Sequence, residues 1–103
     1  MSFTGNESET VTLDQASGWT ANFRNANPNA IKGHFFGKNK LVSVLSQTNC
    51  VGLRIYNGVD DSGNAVLIIV GVKSNEADMT SGVILEKSVI CPPNCDTTSS
   101  LCQ

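Results

Sequence analysis

Ala65-Val-Leu-Ile-Ile-Val-Gly-Val72 is the stretch on which the fold turns. From Val66 to Val72 every residue except Gly71 is Val, Leu or Ile. β-branched side chains pack well on a pleated surface, and an unbroken apolar run implies a strand covered on both faces. Just upstream, Val51, Leu53 and Ile55 alternate with Gly52, Arg54 and Tyr56, the period of a strand with one buried face. Asp60-Asp-Ser-Gly-Asn64 lies between them, built from residues that accept positive φ or bond to their own backbone. Val51–Asn57 and Ala65–Val72 are therefore predicted to pair as an antiparallel hairpin. Lys73 to Gly82 reads as a polar loop. Val83 to Ile90 offers a third strand, with Val83, Leu85 and Val89 facing one way and Glu86 and Ser88 the other. Pro92 and Pro93 forbid its continuation.

Helices precede the hairpin. Thr12-Leu-Asp-Gln15 matches a capping box, in which the threonine oxygen takes an orphan N–H and Gln15 reaches back. Leu13, Ala16, Thr20 and Phe23 follow with helical spacing, Trp19 lies on the same broad face, and Asn27-Pro28 ends the element, so a helix is predicted over 13–25. Residues 29 to 37 give a mixed signal, interrupted by Gly33 and Gly37. A second helix runs from Lys38 to Gln47 and carries Leu41, Val42 and Leu45 on one side.

The order is helix, helix, then a three-stranded meander. This is an α+β pattern with two N-terminal helices packed on a small antiparallel sheet. Residues 1–11 read as a polar arm, 12–90 as a single domain and 91–103 as a tail rich in Cys and Pro. Three strands leave two edges and part of a face uncovered. The residues left for the arm, the tail or another molecule to cover are Phe3, Ile68, Ile69, Val83 and Leu85.

Composition narrows the function. The 103 residues carry seven basic and nine acidic side chains, a net charge of -2. Without a basic surplus, phosphates would go unneutralised, which argues against nucleic acid as the main partner. So small a net charge also leaves little repulsion between copies. The longest strongly apolar run, Ala65 to Val72, is too short to span a bilayer, so no membrane partner is expected. The first residues show neither a basic region nor an apolar one of the secretory kind, which implies a cytoplasmic protein, with export by a leaderless route as the alternative.

Four cysteines carry the chemistry: Cys50, Cys91, Cys95 and Cys102. Together they supply the four thiolates of a tetrahedral zinc site, but only Cys91 and Cys95 have the spacing of a ligand pair. Paired disulfides among the same four, and ordinary thiols with no cofactor at all, are the competing readings. The Cys91-Pro-Pro-Asn-Cys95 spacing does not match a thioredoxin motif, and no helix follows to activate a thiol. His34 is the only histidine. A thiol enzyme would pair it with Cys50 or Cys95, and nothing in the spacing points to that geometry, so no catalytic residue is assigned. The Asp60–Asn64 turn is not a calcium loop, since position twelve from Asp60 is Gly71 rather than a glutamate.

Trp19-Thr-Ala-Asn-Phe23-Arg24 with Asn27-Pro28, Cys50-Val-Gly-Leu-Arg-Ile-Tyr56, Leu67-Ile-Ile-Val-Gly-Val72 and Cys91-Pro-Pro-Asn-Cys95 together give the chain a pattern. In it the chain resembles a group of small uncharacterised bacterial proteins, over most of residues 12 to 95. The resemblance implies one domain and brings no activity or site residue with it. The expectation is a non-enzymatic protein that binds itself or another protein, as a subunit of a larger assembly. The alternatives are a small metal-binding or redox-regulatory module using the C-terminal cysteines, and a thiol enzyme.

Overall fold

A computed structural model describes residues 2–103. In chain order the elements are α1 (Leu13–Ala26), β1 (Gly33–Phe35), α2 (Lys38–Leu45), β2 (Cys50–Val59), β3 (Ala65–Lys73), β4 (Ile84–Leu85) and β5 (Val89–Cys91). The fold is α+β, and the chain divides into two compact units. One comprises residues 1–8 and 36–88, the other residues 9–35 and 89–103. Among the described residues no helix is long and apolar enough to cross a membrane.

The larger unit is built on the predicted hairpin. β2 and β3 pair antiparallel from Cys50↔Lys73 to Val59↔Ala65, with a bulge between Cys50 and Gly52. The turn is held by Asp60, whose carboxylate accepts the N–H groups of Ser62 and Asn64, each at 2.9 Å. Those backbone donors, Asn64 first, hold the Asp60 carboxyl below its usual range. β4 adds a short third strand through Ile69↔Leu85 and Val70↔Ile84, giving the order β2-β3-β4. Directly paired residues share a face, so Ile55, Ile69 and Leu85 lie on one side and Arg54, Val70 and Ile84 on the other.

α2 packs against β2 and β3. Val44 on this helix has no exposure at all, and the other buried apolar residues are Ile69 on one side of the sheet and Val70 and Val72 on the other. Gln47, just past the helix, ties the layers together. Its Nε2 donates to the Val44 carbonyl at 2.8 Å, and its Oε1 accepts the Val83 N–H at 2.9 Å. That side chain needs a bare backbone below it. A Cβ at Gly71 would lie 2.9 Å from Gln47 Nε2 and 3.1 Å from both Cys50 Sγ and Met79 Sδ. Gly71→Ala is therefore expected to destabilise the larger unit by about 1–3 kcal/mol, the range for overpacking a tight interior. Chemical denaturation followed at Tyr56 measures it, and an unchanged midpoint would contradict this packing.

Part of the opposite face is covered by the N-terminal residues, while Tyr56 and Ile84 on that face stay exposed. Phe3 donates its N–H to the Ser74 carbonyl at 2.8 Å, and its ring sits 5.7 Å from the Arg54 guanidinium carbon. Arg54 and Tyr56 both reach Asp78, at 2.5 Å each. Within the arm, Glu7 accepts the N–H groups of Thr4 and Gly5 at 2.8 and 2.9 Å. The residues expected to be a loose arm are thus held from Phe3 to Glu7.

The smaller unit contains α1, whose capping box forms as predicted. Gln15 N donates to Thr12 Oγ1 at 3.1 Å, and Gln15 Oε1 accepts the Thr12 N–H at 3.2 Å. β1 and β5 pair through Gly33↔Cys91, His34↔Ile90 and Phe35↔Val89. This corrects the single third strand read over Val83–Ile90. Lys87 adopts a φ of 66°, which interrupts an extended segment, so the run splits into β4 and β5, which pair in different sheets. The expectation of helices on the three-stranded sheet is met by α2, while α1 belongs to the other unit.

Candidate functional site

Two features carry chemistry, one in each unit. In the smaller unit, β5 delivers Cys91 at its end, and Pro92-Pro93 turn the chain sharply. Asn94 N donates to the Ile90 carbonyl and Cys95 N to the Pro93 carbonyl, both at 3.1 Å. The two Cα atoms end 4.9 Å apart, and Cys91 and Cys95 form a disulfide.

The tail then returns. Asp96 accepts both the N–H and the hydroxyl of Thr98, at 3.0 and 2.7 Å, and these bonds, the hydroxyl first, hold its carboxyl below the usual range. Cys102 N and Gln103 N close turns on the Ser99 carbonyl. α1 anchors this return twice. Ser17 Oγ lies 2.7 Å from Ser100 Oγ, and Arg24 Nη1 donates to the Leu101 carbonyl at 2.7 Å. Those two residues are seven apart and so share one face of the helix. Held this way, the Cys102 thiol lies 3.5 Å from Cys91 Sγ, and the three sulfurs fall within 4.8 Å of one another.

The structure thus brings together three of the four predicted ligands. Cys50 lies in the larger unit, where its thiol donates to the Gly52 carbonyl at 3.1 Å. With the Cys91–Cys95 bridge closed, only Cys102 has a thiolate to offer a metal. With it open, three donors stand ready for a zinc ion, one short of a full protein set. His34, expected in the thiol-enzyme alternative, pairs with Ile90 in the register where Gly33 pairs with Cys91. Alternation puts its side chain on the opposite face of the ribbon from Cys91. Ser17 and Arg24 had no distinguishing signal in the sequence, because their role depends on where the tail returns.

In the larger unit the feature is the outer edge of β2. β2 stands at the end of the β2-β3-β4 order and pairs with no other strand among the described residues. Ile55 is 51% exposed, Tyr56 43% and Val59 73%. Only Arg54 carries charge along the strand, and Asp78 pairs it. At the start of the strand lies a groove of about 550 Å³, lined by Phe3, Gly5, Leu45, Val51, Leu53 and Val72. Of the residues expected to seek cover, Ile69 at 2% exposure belongs to the core, Ile68 and Leu85 are half-buried, Phe3 lines the groove, and Val83 is exposed. Sequence reasoning missed Ile55, since its alternation with Arg54 and Tyr56 marks the strand without telling which end of the face the helix reaches.

Comparison with protein-family models, with curated proteins and with solved structures finds no match for this chain.

Proposed function

We propose that this protein is non-enzymatic and associates with a second copy of itself through the outer edge of β2, as the building step of a larger assembly. The observation that carries the reading is a ten-residue edge strand that pairs only with β3 among the described residues, has the arm residue Gly5 against its start at Val51, and bears exposed Ile55, Tyr56 and Val59 beyond it. Such an edge is a template for another strand unless charge, proline or a cover blunts it. Here there is no proline, and the single charge is paired.

The strand is complementary to itself. An antiparallel two-fold pairing centred on Ile55 sets Ile55 against Ile55 and Arg54 against Tyr56 of the other copy. The same register brings Val59 of each copy toward Val51 of the other, where the strand bulges and Gly5 lies against the Val51 carbonyl, so the ladder spans Leu53–Asn57. Gly52 meets Gly58, so no side chains collide there. Two three-stranded sheets would then form one of six strands, an ordinary size. The low net charge offers little opposition.

Sedimentation equilibrium over a concentration series tests this. The expected result is a rise toward twice the 10.9 kDa chain mass. A mass that stays at that of one chain up to millimolar concentration would refute it.

A further inference from the structure

The three clustered sulfurs ask a question that self-association does not answer. Cys102 is held against a disulfide: the Ser17 and Arg24 side chains bond to residues 100 and 101, and the thiol follows. We propose that Cys91, Cys95 and Cys102 form a thiol–disulfide exchange site, in which Cys91 passes its bridge between Cys95 and Cys102 and the freed thiol reacts with disulfides of low molecular weight.

The step balances internally. The Cys102 thiol loses its proton to solvent, and the thiolate attacks Cys91 Sγ. A Cys91–Cys102 bond forms, the Cys91–Cys95 bond breaks, and Cys95 leaves as a thiolate that takes up a proton. One disulfide and one thiol exist before and after, so no oxidant or reductant is consumed. From 3.5 Å the two sulfurs need about 1.5 Å of approach to reach bonding distance. Cys91 is the shared partner because Cys102 touches it. The outward step is equally closed. The Cys95 thiolate attacks a disulfide R–S–S–R, giving a Cys95–S–S–R mixed disulfide and R–S⁻.

The arrangement also assigns a positioning role to Arg24. Its bond to the Leu101 carbonyl sets the residue next to Cys102, so its removal should leave the Cys91–Cys95 bridge intact while loosening the third sulfur.

The test is disulfide mapping on the full chain. After incubation at pH 8 the protein is acid-quenched, free thiols are alkylated, and the unreduced digest is read by mass spectrometry. Both the 91–95 and the 91–102 bridges are expected, with alkylation divided between Cys95 and Cys102. Arg24→Gln should cut the 91–102 share several-fold. Cys95→Ser incubated with glutathione disulfide should form the 91–102 bridge, and Cys102→Ser should retain only 91–95. The wild type with glutathione disulfide should show the glutathione adduct on Cys95 as well as on Cys102. Finding only 91–95 with Cys102 fully alkylated, or no 91–102 bridge in Cys95→Ser, overturns the proposal, and neither result touches the β2 edge.

Discussion

Ile55→Lys should abolish self-association while leaving the fold of the single chain unchanged. Ile55 is already half in water, so its loss costs the isolated chain little. In the two-fold register, however, the two copies of residue 55 stand directly opposite each other. The substitution withdraws two apolar side chains from burial, worth about 1 kcal/mol each when half of each is already exposed. It also sets two like charges face to face, which adds further cost. A combined loss of about 3 kcal/mol weakens the dimer roughly 100-fold. Sedimentation should then give the single-chain mass where the wild type is dimeric, with unaltered circular dichroism. A lysine variant that associates as tightly as the wild type would move the interface elsewhere.

The second large effect concerns the smaller unit, and it follows from what that unit lacks. Every fully buried residue of the described chain, Val44 and Ile69 to Val72, lies in the larger unit. α1 buries none of its residues. A unit of roughly 40 residues without a dry core is at the size where a cross-link becomes necessary. The Cys91–Cys95 bridge closes a short loop, and loop-closure entropy makes it worth about 2 kcal/mol. Cys91→Ser removes that bridge and the Cys91–Cys102 alternative. The chain carries its own reporters, since its one tryptophan, Trp19, lies on α1 and its one tyrosine, Tyr56, on β2. Cys91→Ser should shift the Trp19 denaturation transition to much lower denaturant, or abolish it, while the Tyr56 transition stays in place. Equal shifts of both would show that the two units unfold as one and that the bridge serves the whole chain.

These two sites were unevenly legible in the sequence. The hairpin, its turn and both helices could be read because each rests on local rules: alternation in Val51–Tyr56, an unbroken apolar run after Ala65, a capping box at Thr12. What escaped depends on residues far apart. Nothing local in Val83–Ile90 says that Lys87 takes a positive φ and hands Val89 to β1. Gly33–Phe35 is too short, and too flanked by glycine, to declare itself a strand before its partner is known. The cysteine cluster was visible as composition, but its membership was not. Cys50 dropped out because it opens a strand in the other unit, and Cys102 entered because Ser17 and Arg24 hold the returning tail. Ile69 looks exposable from sequence because a count of elements does not reveal that α2 and the first residues lie on different faces of the sheet.

Amide hydrogen exchange across Leu53–Val59 at two protein concentrations tests the self-association most directly, because it reads the edge itself. Pairing with a second copy should protect alternate amides of that segment, those pointing away from β3, and their protection should rise with concentration while the rest of the sheet stays constant. Exchange at those amides that is fast and indifferent to concentration, in a sample that is otherwise folded, would contradict the account.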